Sequence, residues 1–388
     1  MRPGHTRHAF VDLLRAGVVL LMVEAHVFNA LLRDDLHPTK VFSVLTFVNG
    51  LVAPAFLFLA GFGFALASRP DLEGATPTRG IPWRRLRRLA GLLLLGYALH
   101  LPFFSLTRTL TGASHGQLAS FFQADILQTI AVSLLALLGL ELLIGADAAA
   151  RLWALPLAIV VVFLTPVVWR VDFSKFLPLP VATYFSPRYG SPFPLFPWAG
   201  FVFCGAFASH RFVGALRTGN ERQLTATVAN IFCCGFALVV LGPVFDSILV
   251  RAAPRSDLWS TTPGFFALRL GLVLLALSML WLRTSRRRRP EPSRAGRILQ
   301  VIGQESLVVY WIHLVIIYGW VIHQPGLAQS MGPTLGFAAC AAASLALVAW
   351  SCLLAYAWNW SKTRHRLLAR VGTYAVLGAF LCLFIVRP

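Results

Sequence analysis

Eleven stretches of mostly apolar residues, each close to the roughly 20 residues that cross a bilayer as a helix, follow one another with short polar links. They cover 10–32, 42–67, 88–107, 121–144, 152–170, 194–213, 225–248, 264–282, 298–321, 333–357 and 368–386. Backbone polar groups in hydrocarbon must pair within their own segment, so long apolar runs of this kind become helices. The expected fold class is all-α: a polytopic membrane helix bundle of about eleven transmembrane helices, built as one integral-membrane domain over 1–388. Only 13% of the residues are charged and 57% are hydrophobic, whereas soluble domains carry about 25% charged residues. That balance excludes a soluble globular protein, a disordered chain, a coiled coil and a disulfide-rich secreted scaffold.

Lysine and arginine number 34 against 15 acidic residues, a net charge of +19. In a soluble chain such an excess points to nucleic acid. In a membrane chain it first reports topology, because cytoplasmic loops collect Lys and Arg. With the N-terminus placed inside, 23 basic residues fall in inner segments, nine in outer segments and two within helices. The expectation is a cytoplasmic N-terminus and an outer C-terminus, with the lipid bilayer as partner and no nucleic acid. Two inner segments, 79–88 (RGIPWRRLRR) and 283–297 (RTSRRRRPEPSRAGR), are strongly basic. They fit retention signals touching anionic lipid. They equally fit a site for a polyanionic cytosolic ligand such as the phosphates of coenzyme A. The six cysteines lie inside apolar runs without metal-ligand spacing, so they read as small buried hydrophobes and no metal is expected. The first apolar stretch carries Asp12, Arg15, Glu24 and His26 without a small-residue cleavage site, unlike a signal peptide.

An ionisable side chain at mid-membrane costs about 2.5–3.5 kcal/mol on insertion scales, so each one needs a reason. At about 100° per residue, Asp12, Arg15, His26 and Asn29 fall near one stripe of the first helix, with Asp12 and Arg15 able to pair. His26 lies eleven residues beyond Arg15, about 16 Å along the axis, in the outer half. Glu24 points elsewhere. Asp125 and Gln128 open the fourth stretch, Asn49 and Gly50 mark the outer start of the second, and Pro54, Gly61 and Gly63 there permit a kink or close helix approach. In the ninth stretch Gln304, Glu305 and Ser306 enter from the inner side, with His313 about two turns further out. Two polar clusters are therefore expected. The outer one gathers His26, Asp125, Asn49 and His313. The inner one gathers Asp12, Arg15, Arg84, Arg85, Arg87, Arg88, Gln304 and Glu305. Packing alone is the competing explanation for each lone histidine, and for His313 interhelical hydrogen bonding is as good a reading as catalysis.

These residues carry a family resemblance. FVDLLRAGVVLLMVEAHVFNAL followed by FVNGLVAPAFLFLAGFGFALA resembles the opening of the transmembrane acyltransferase superfamily (acyltransferase 3-related), and within it bacterial members similar to heparan-α-glucosaminide N-acetyltransferase. The Asp-x-x-Arg-Gly motif has Asp12 and Arg15, with Ala16 for Gly. Pro54, Phe56, Phe58 and Gly61 resemble the Pro-x-Phe-x-Phe-x-x-Gly of the second helix. Asp125 to Gln128, Phe196 to Trp198, and Gly303, Ser306, Leu307, Tyr310 and His313 resemble three later motifs. The matches run from 10 to 315, with additional helices to 386.

The resemblance implies transfer of an acyl group, most often acetyl, from cytosolic acyl-CoA to an amine or hydroxyl of a sugar or glycan acceptor at the far face of a bacterial cytoplasmic (inner) membrane. A histidine in the outer half would be base or acyl carrier. In the animal lysosomal enzymes that histidine precedes an Asn-Gly, a position that here falls near Leu45; His26 takes the role, with His37 second. Asp125 or Glu24 would orient the imidazole, Asn49, Asn29 or His313 would donate to the oxyanion, and the inner cluster would hold the acyl-CoA. A homodimer is left open. A secondary transporter or exporter of a small solute or lipid-linked compound also fits buried charges and Gly/Pro-broken helices, as does an inactive assembly partner.

Overall fold

The structure is a computed structural model that describes residues 9–68, 82–103, 105–252, 262–285, 294–319 and 325–387. The basic runs at 79–81 and 286–293, with His5, His8 and His323, lie outside the described residues. Each of the eleven apolar stretches contains helix. The principal helices are α1 (Ala9–Leu31), α2 (Lys40–Asn49), α3 (Val52–Ala67), α4 (Trp83–Leu99), α5 (Leu106–Gly112), α6 (His115–Phe122), α7 (Ile126–Ile144), α8 (Ala154–Val168), α9 (Leu195–Arg217), α10 (Glu221–Ala252), α11 (Pro263–Ser285), α12 (Arg294–Gln304), α13 (Ser306–Tyr318), α14 (Phe337–Arg364) and α15 (Arg366–Val386). Among the described residues the only β-type pairing is an isolated bridge between Leu32 and Leu335.

Among the described residues eight helices are long and apolar enough to cross a membrane, with Lys40–Ala67 counted as one; the bent pair α12–α13 makes nine. α1 and α4 are not among them. One expected span is broken and another is only interrupted. The stretch 42–67 is interrupted at Gly50–Leu51 within the one candidate span Lys40–Ala67, so Asn49 ends α2 part-way along it rather than at its start. The stretch 298–321 bends by 75° at Glu305. Of the cysteines, Cys204 and Cys340 are buried as expected, but Cys233, Cys234 and Cys382 are exposed on their helices. All three lie on apolar helices whose outer surfaces carry large apolar side chains, the surface a lipid-facing helix needs.

The chain forms two units. One contains Ala53–Ala98 and Ala119–Arg286, hence most of α3 and α4 and all of α7 to α11. At its centre α9 contacts α7, α8 and α10, and α10 lies along α11. The α3–α9 crossing is backbone against backbone: a Cβ on Gly61 would overlap the Val202 carbonyl, and one on Gly205 would overlap that of Phe58. Small residues allow this proximity where packing, rather than water exclusion, holds helices together. Asp125 caps α7, its carboxylate accepting from the Ile126 amide at 2.7 Å. Arg85 is tied down by Glu141 (2.6 Å) and the Ser68 hydroxyl (2.5 Å), with its guanidinium 4.0 Å from the centre of the Phe64 ring.

The other unit contains Ala9–Val52, Leu99–Leu118 and Arg287–Pro388. It is organised about α1, which contacts α2, α12, α13 and α14, while α15 leans on α14 and α5. Gln304 reaches Asp12 near the start of α1 and Tyr318 reaches His26 near its end, both pairs separated by 292 positions. Equal separations mean that α13 runs parallel to α1.

Candidate active site

α1 carries polar groups at three levels, each meeting partners within its own unit. At the first, Asp12 lies 3.6 Å from Arg15 and accepts from the Gln304 amide at 3.2 Å. Gly303 makes this meeting close, since a Cβ there would overlap the Asp12 carbonyl. Glu305, at the bend, turns away from this pair. Its buried carboxylate accepts from Lys362 at 2.7 Å and Asn359 at 3.0 Å, both on α14. Gln304 and Glu305, adjacent in sequence, thus serve different contacts: one fastens α12 to α1 and the other fastens the bend to α14.

At the second level Glu24 faces the α2 side. Asn49 is near enough to act on it, yet neither Glu24 oxygen completes a hydrogen bond, and Asn49 Oδ1 has no donor either. Glu24 and His26 are two residues apart, about 200° around the helix, so Glu24 does not orient His26. Asn29 is exposed, and His37 stacks on Phe42 with ring centroids 4.4 Å apart.

At the third level stands His26, half-buried, with its ring 5.2 Å from that of His313 and 5.8 Å, edge-on, from that of Tyr318. The Tyr318 hydroxyl is 3.3 Å from His26 Nδ1. His313 is fully buried at 0% exposure, and its Nδ1 sits 2.8 Å from the Val309 carbonyl. A carbonyl only accepts, so the proton is on Nδ1 and Nε2 holds a lone pair. That Nε2 is buried without a hydrogen-bond partner. Two imidazoles and a phenol thus share one corner, with an acceptor nitrogen that the protein leaves unsatisfied. Such a group can take a proton from, or hold, a bound molecule.

The remaining expected site residues belong to the first unit. Asp125 spends one oxygen on the α7 cap, Arg85 is committed to Glu141, and Arg84, Arg87 and Arg88 are exposed along the first turns of α4. Positions 84, 87 and 88 share a helix face from which Arg85 departs. Gln128 is buried with neither amide atom bonded, its side chain filling the space a Gly96 Cβ would take.

Sequence reasoning missed Tyr318, Lys362, Asn359 and Glu141. Tyr318 is off the helical stripe of His313; its only local signal is Gly319, whose φ of 67° ends α13 and leaves Tyr318 in the terminal turn. Lys362 and Asn359 are three apart, a spacing that puts both on one face of α14 and marks them as a possible pair of partners for an intramembrane acid.

The pattern of the family described as heparan-alpha-glucosaminide N-acetyltransferase, catalytic, matches residues 7–243, more than half of the 388. The chain belongs to this family. Membership gives it an N-acetyltransferase-like function in a membrane. No curated protein matches the chain. The region matched to the N-acetyltransferase family takes in Asp12, Arg15, Glu24, His26, Asn49, the α4 arginines and Asp125, whereas His313, Tyr318 and Glu305 follow it.

Proposed function

We propose that this protein is an integral-membrane acyltransferase that moves an acetyl group from cytosolic acetyl-CoA to an amine or hydroxyl of a sugar or glycan at the outer face of a bacterial inner membrane. The observation that carries the reading is the contact of His26 with His313 and Tyr318, in a chain that belongs to an N-acetyltransferase family. With Nδ1–H of His26 donating to the Tyr318 oxygen, Nε2 has the lone pair a general base needs. As the acceptor's N–C or O–C bond forms, its proton passes to His26 and the thioester C–S bond breaks, the sulfur leaving as thiolate to be protonated. Arg84, Arg87 and Arg88, exposed and on one face, have the chemistry to hold the donor's phosphates; Arg85 and Glu305, each already paired, hold helices instead.

Eleven spans are part of the proposal. α1 and α13 run parallel, so an odd number of crossings must separate them. Among the described residues the helices long and apolar enough to cross between them number six; α4 makes seven. Counting α1 and α4 with the other nine gives eleven, and the surplus of Lys and Arg on the side of the N-terminus supports placing it in the cytoplasm.

The test is transfer by purified protein in nanodiscs from labelled acetyl-CoA to a panel of amino sugars and glycans. Transfer by the natural chain that vanishes in His26→Ala supports the proposal, and transfer that persists in that variant overturns the role of His26.

A further inference from the structure

The first unit holds a cleft of about 550 Å³, in the size range of ligand pockets, walled by α8, α9, α10 and α11 with Phe58 of α3 at its base. It exists because α10 lies along the whole of α11 but meets α9 over a much shorter stretch. Nearly all of its surface is apolar. The exceptions gather at one end: Arg211 of α9 with Thr227 and Asn230 of α10. α9 ends at Arg217 and α10 begins at Glu221. Arg211 and Thr227 therefore each lie six residues from the turn, at the same depth of about 9 Å. Asn230 is one turn deeper. None of the three side chains has a hydrogen bond or ion pair among the described residues.

Arg211 is exposed at the polar end of an otherwise apolar cleft, where a guanidinium is free to meet an anion from a lipid surface. Here two neutral polar groups stand beside it, and an apolar slot leads away from them towards Phe163 and Phe245. We propose that this cleft binds an anionic glycerophospholipid. Its phosphate sits at Arg211, with the Thr227 hydroxyl and the Asn230 amide donating to its oxygens, and one acyl chain lies in the slot. The charge at the mouth selects the headgroup, because a phosphodiester paired with Arg gains charge-assisted hydrogen bonds that a zwitterion partly cancels. A helix from a second copy would need to bring an acid to the same depth.

The test uses the full-length protein in detergent, with phosphatidylglycerol and phosphatidylcholine added separately and bound lipid counted by native mass spectrometry. Expected is selective retention of phosphatidylglycerol by the natural chain. It should be lost in Arg211→Gln, kept in Arg211→Lys, and lost again in Cys234→Trp, which fills the slot from an exposed position of α10. Melting temperatures of the four proteins separate lost binding from lost fold, and Thr227→Val replaces Arg211→Gln if that variant does not fold. Equal retention of the two lipids overturns the proposal, as does phosphatidylglycerol retained in Arg211→Gln or unaffected by Cys234→Trp. A change of oligomeric mass in Cys234→Trp in place of lipid loss also overturns it, in favour of a second copy.

Discussion

Replacing Tyr318 by Phe removes one hydroxyl and leaves a ring of almost the same shape against His26, so it isolates what the hydroxyl does. The contact removed is 3.3 Å long, beyond the usual 2.7–3.2 Å of an N–H···O bond. Its net worth therefore belongs at about 1 kcal/mol or less, within the 0.5–1.5 kcal/mol of ordinary protein hydrogen bonds. If the hydroxyl positions the imidazole for proton transfer, that energy is spent on the barrier. At about 1.4 kcal/mol per factor of ten, kcat falls by up to about fivefold. KM for both substrates should stay as it is, since Tyr318 touches the base and the proposal gives it no contact with either substrate. His26→Ala, which removes the base, should cost about 10²–10⁴-fold. The assay is steady-state release of CoA together with labelled product, at saturating and at limiting acceptor. A Tyr318→Phe variant as fast as the natural chain would refute the positioning role. One as slow as His26→Ala would make the hydroxyl a participant in the chemistry. A raised KM at constant kcat would put Tyr318 in substrate binding.

Three further expectations follow from the packing. Lys362→Met leaves the Glu305 carboxylate, whose side chain is only 7% exposed, with one neutral donor; since Lys362 itself is 41% exposed, the loss should be about 2–3 kcal/mol, below the full cost of breaking a buried pair. Adding Glu305→Gln should recover most of it, and a double variant that melts no higher than Lys362→Met alone contradicts the account. Gly303→Ala should destabilise by about 1–3 kcal/mol because two backbones must separate, whereas Gly17→Ala on α1, where a Cβ meets nothing within 4 Å, should be neutral or stabilising by up to about 1 kcal/mol; equal melting shifts for the two would rule out the close contact. In the loop after α8, hydrogen bonds from the Ser174 and Tyr189 hydroxyls hold the Asp172 carboxyl below the usual carboxylate range. Its contribution to loop order is then complete above the ordinary carboxylate pKa of about 4 and is lost as pH falls through the lower folded value. Amide exchange over 173–190, corrected for intrinsic rates, should show acid loosening that Asp172→Asn abolishes, its loop being loose at every pH.

The helices and most of their limits were legible because apolar run length is a direct consequence of bilayer thickness. The breaks were not. The polar run Gln304 to Ser306 does not reveal a bend, nor that Glu305 is held by Lys362 and Asn359, more than fifty positions away. The site was half legible for the same reason. Periodicity placed Asp12, Arg15 and His26 on one stripe of α1 and sent Glu24 to another, and the structure has Asp12 and His26 each meeting the α12–α13 pair. Periodicity cannot say which neighbour a stripe faces. The partners of His26 therefore became known only when Tyr318, beyond the reach of any helical repeat from His313, came within hydrogen-bond distance. Residue type was also a poor guide among the arginines: four in five consecutive positions looked equivalent, and one of them is occupied by Glu141.

Satisfaction of polar groups separates structure from function along α1. Asp12 has Arg15 and Gln304, and Glu305 has Lys362 and Asn359; both carboxylates are paid for by partners that also fix helices, which is reason enough for their presence. His313 Nε2 and the two oxygens of Glu24 have no such partner. A buried acceptor without a donor costs about 1–3 kcal/mol, more for a charge, and no packing gain in the surrounding contacts requires an imidazole or a carboxylate in place of an apolar side chain. The cost is intelligible if a donor arrives from outside the protein. An amine or hydroxyl acceptor supplies such donors, and the unsatisfied atoms lie at the end of α1 where His26 stands. The same criterion leaves Asp12 and Glu305 as fasteners of the helices that bring His26 and His313 together.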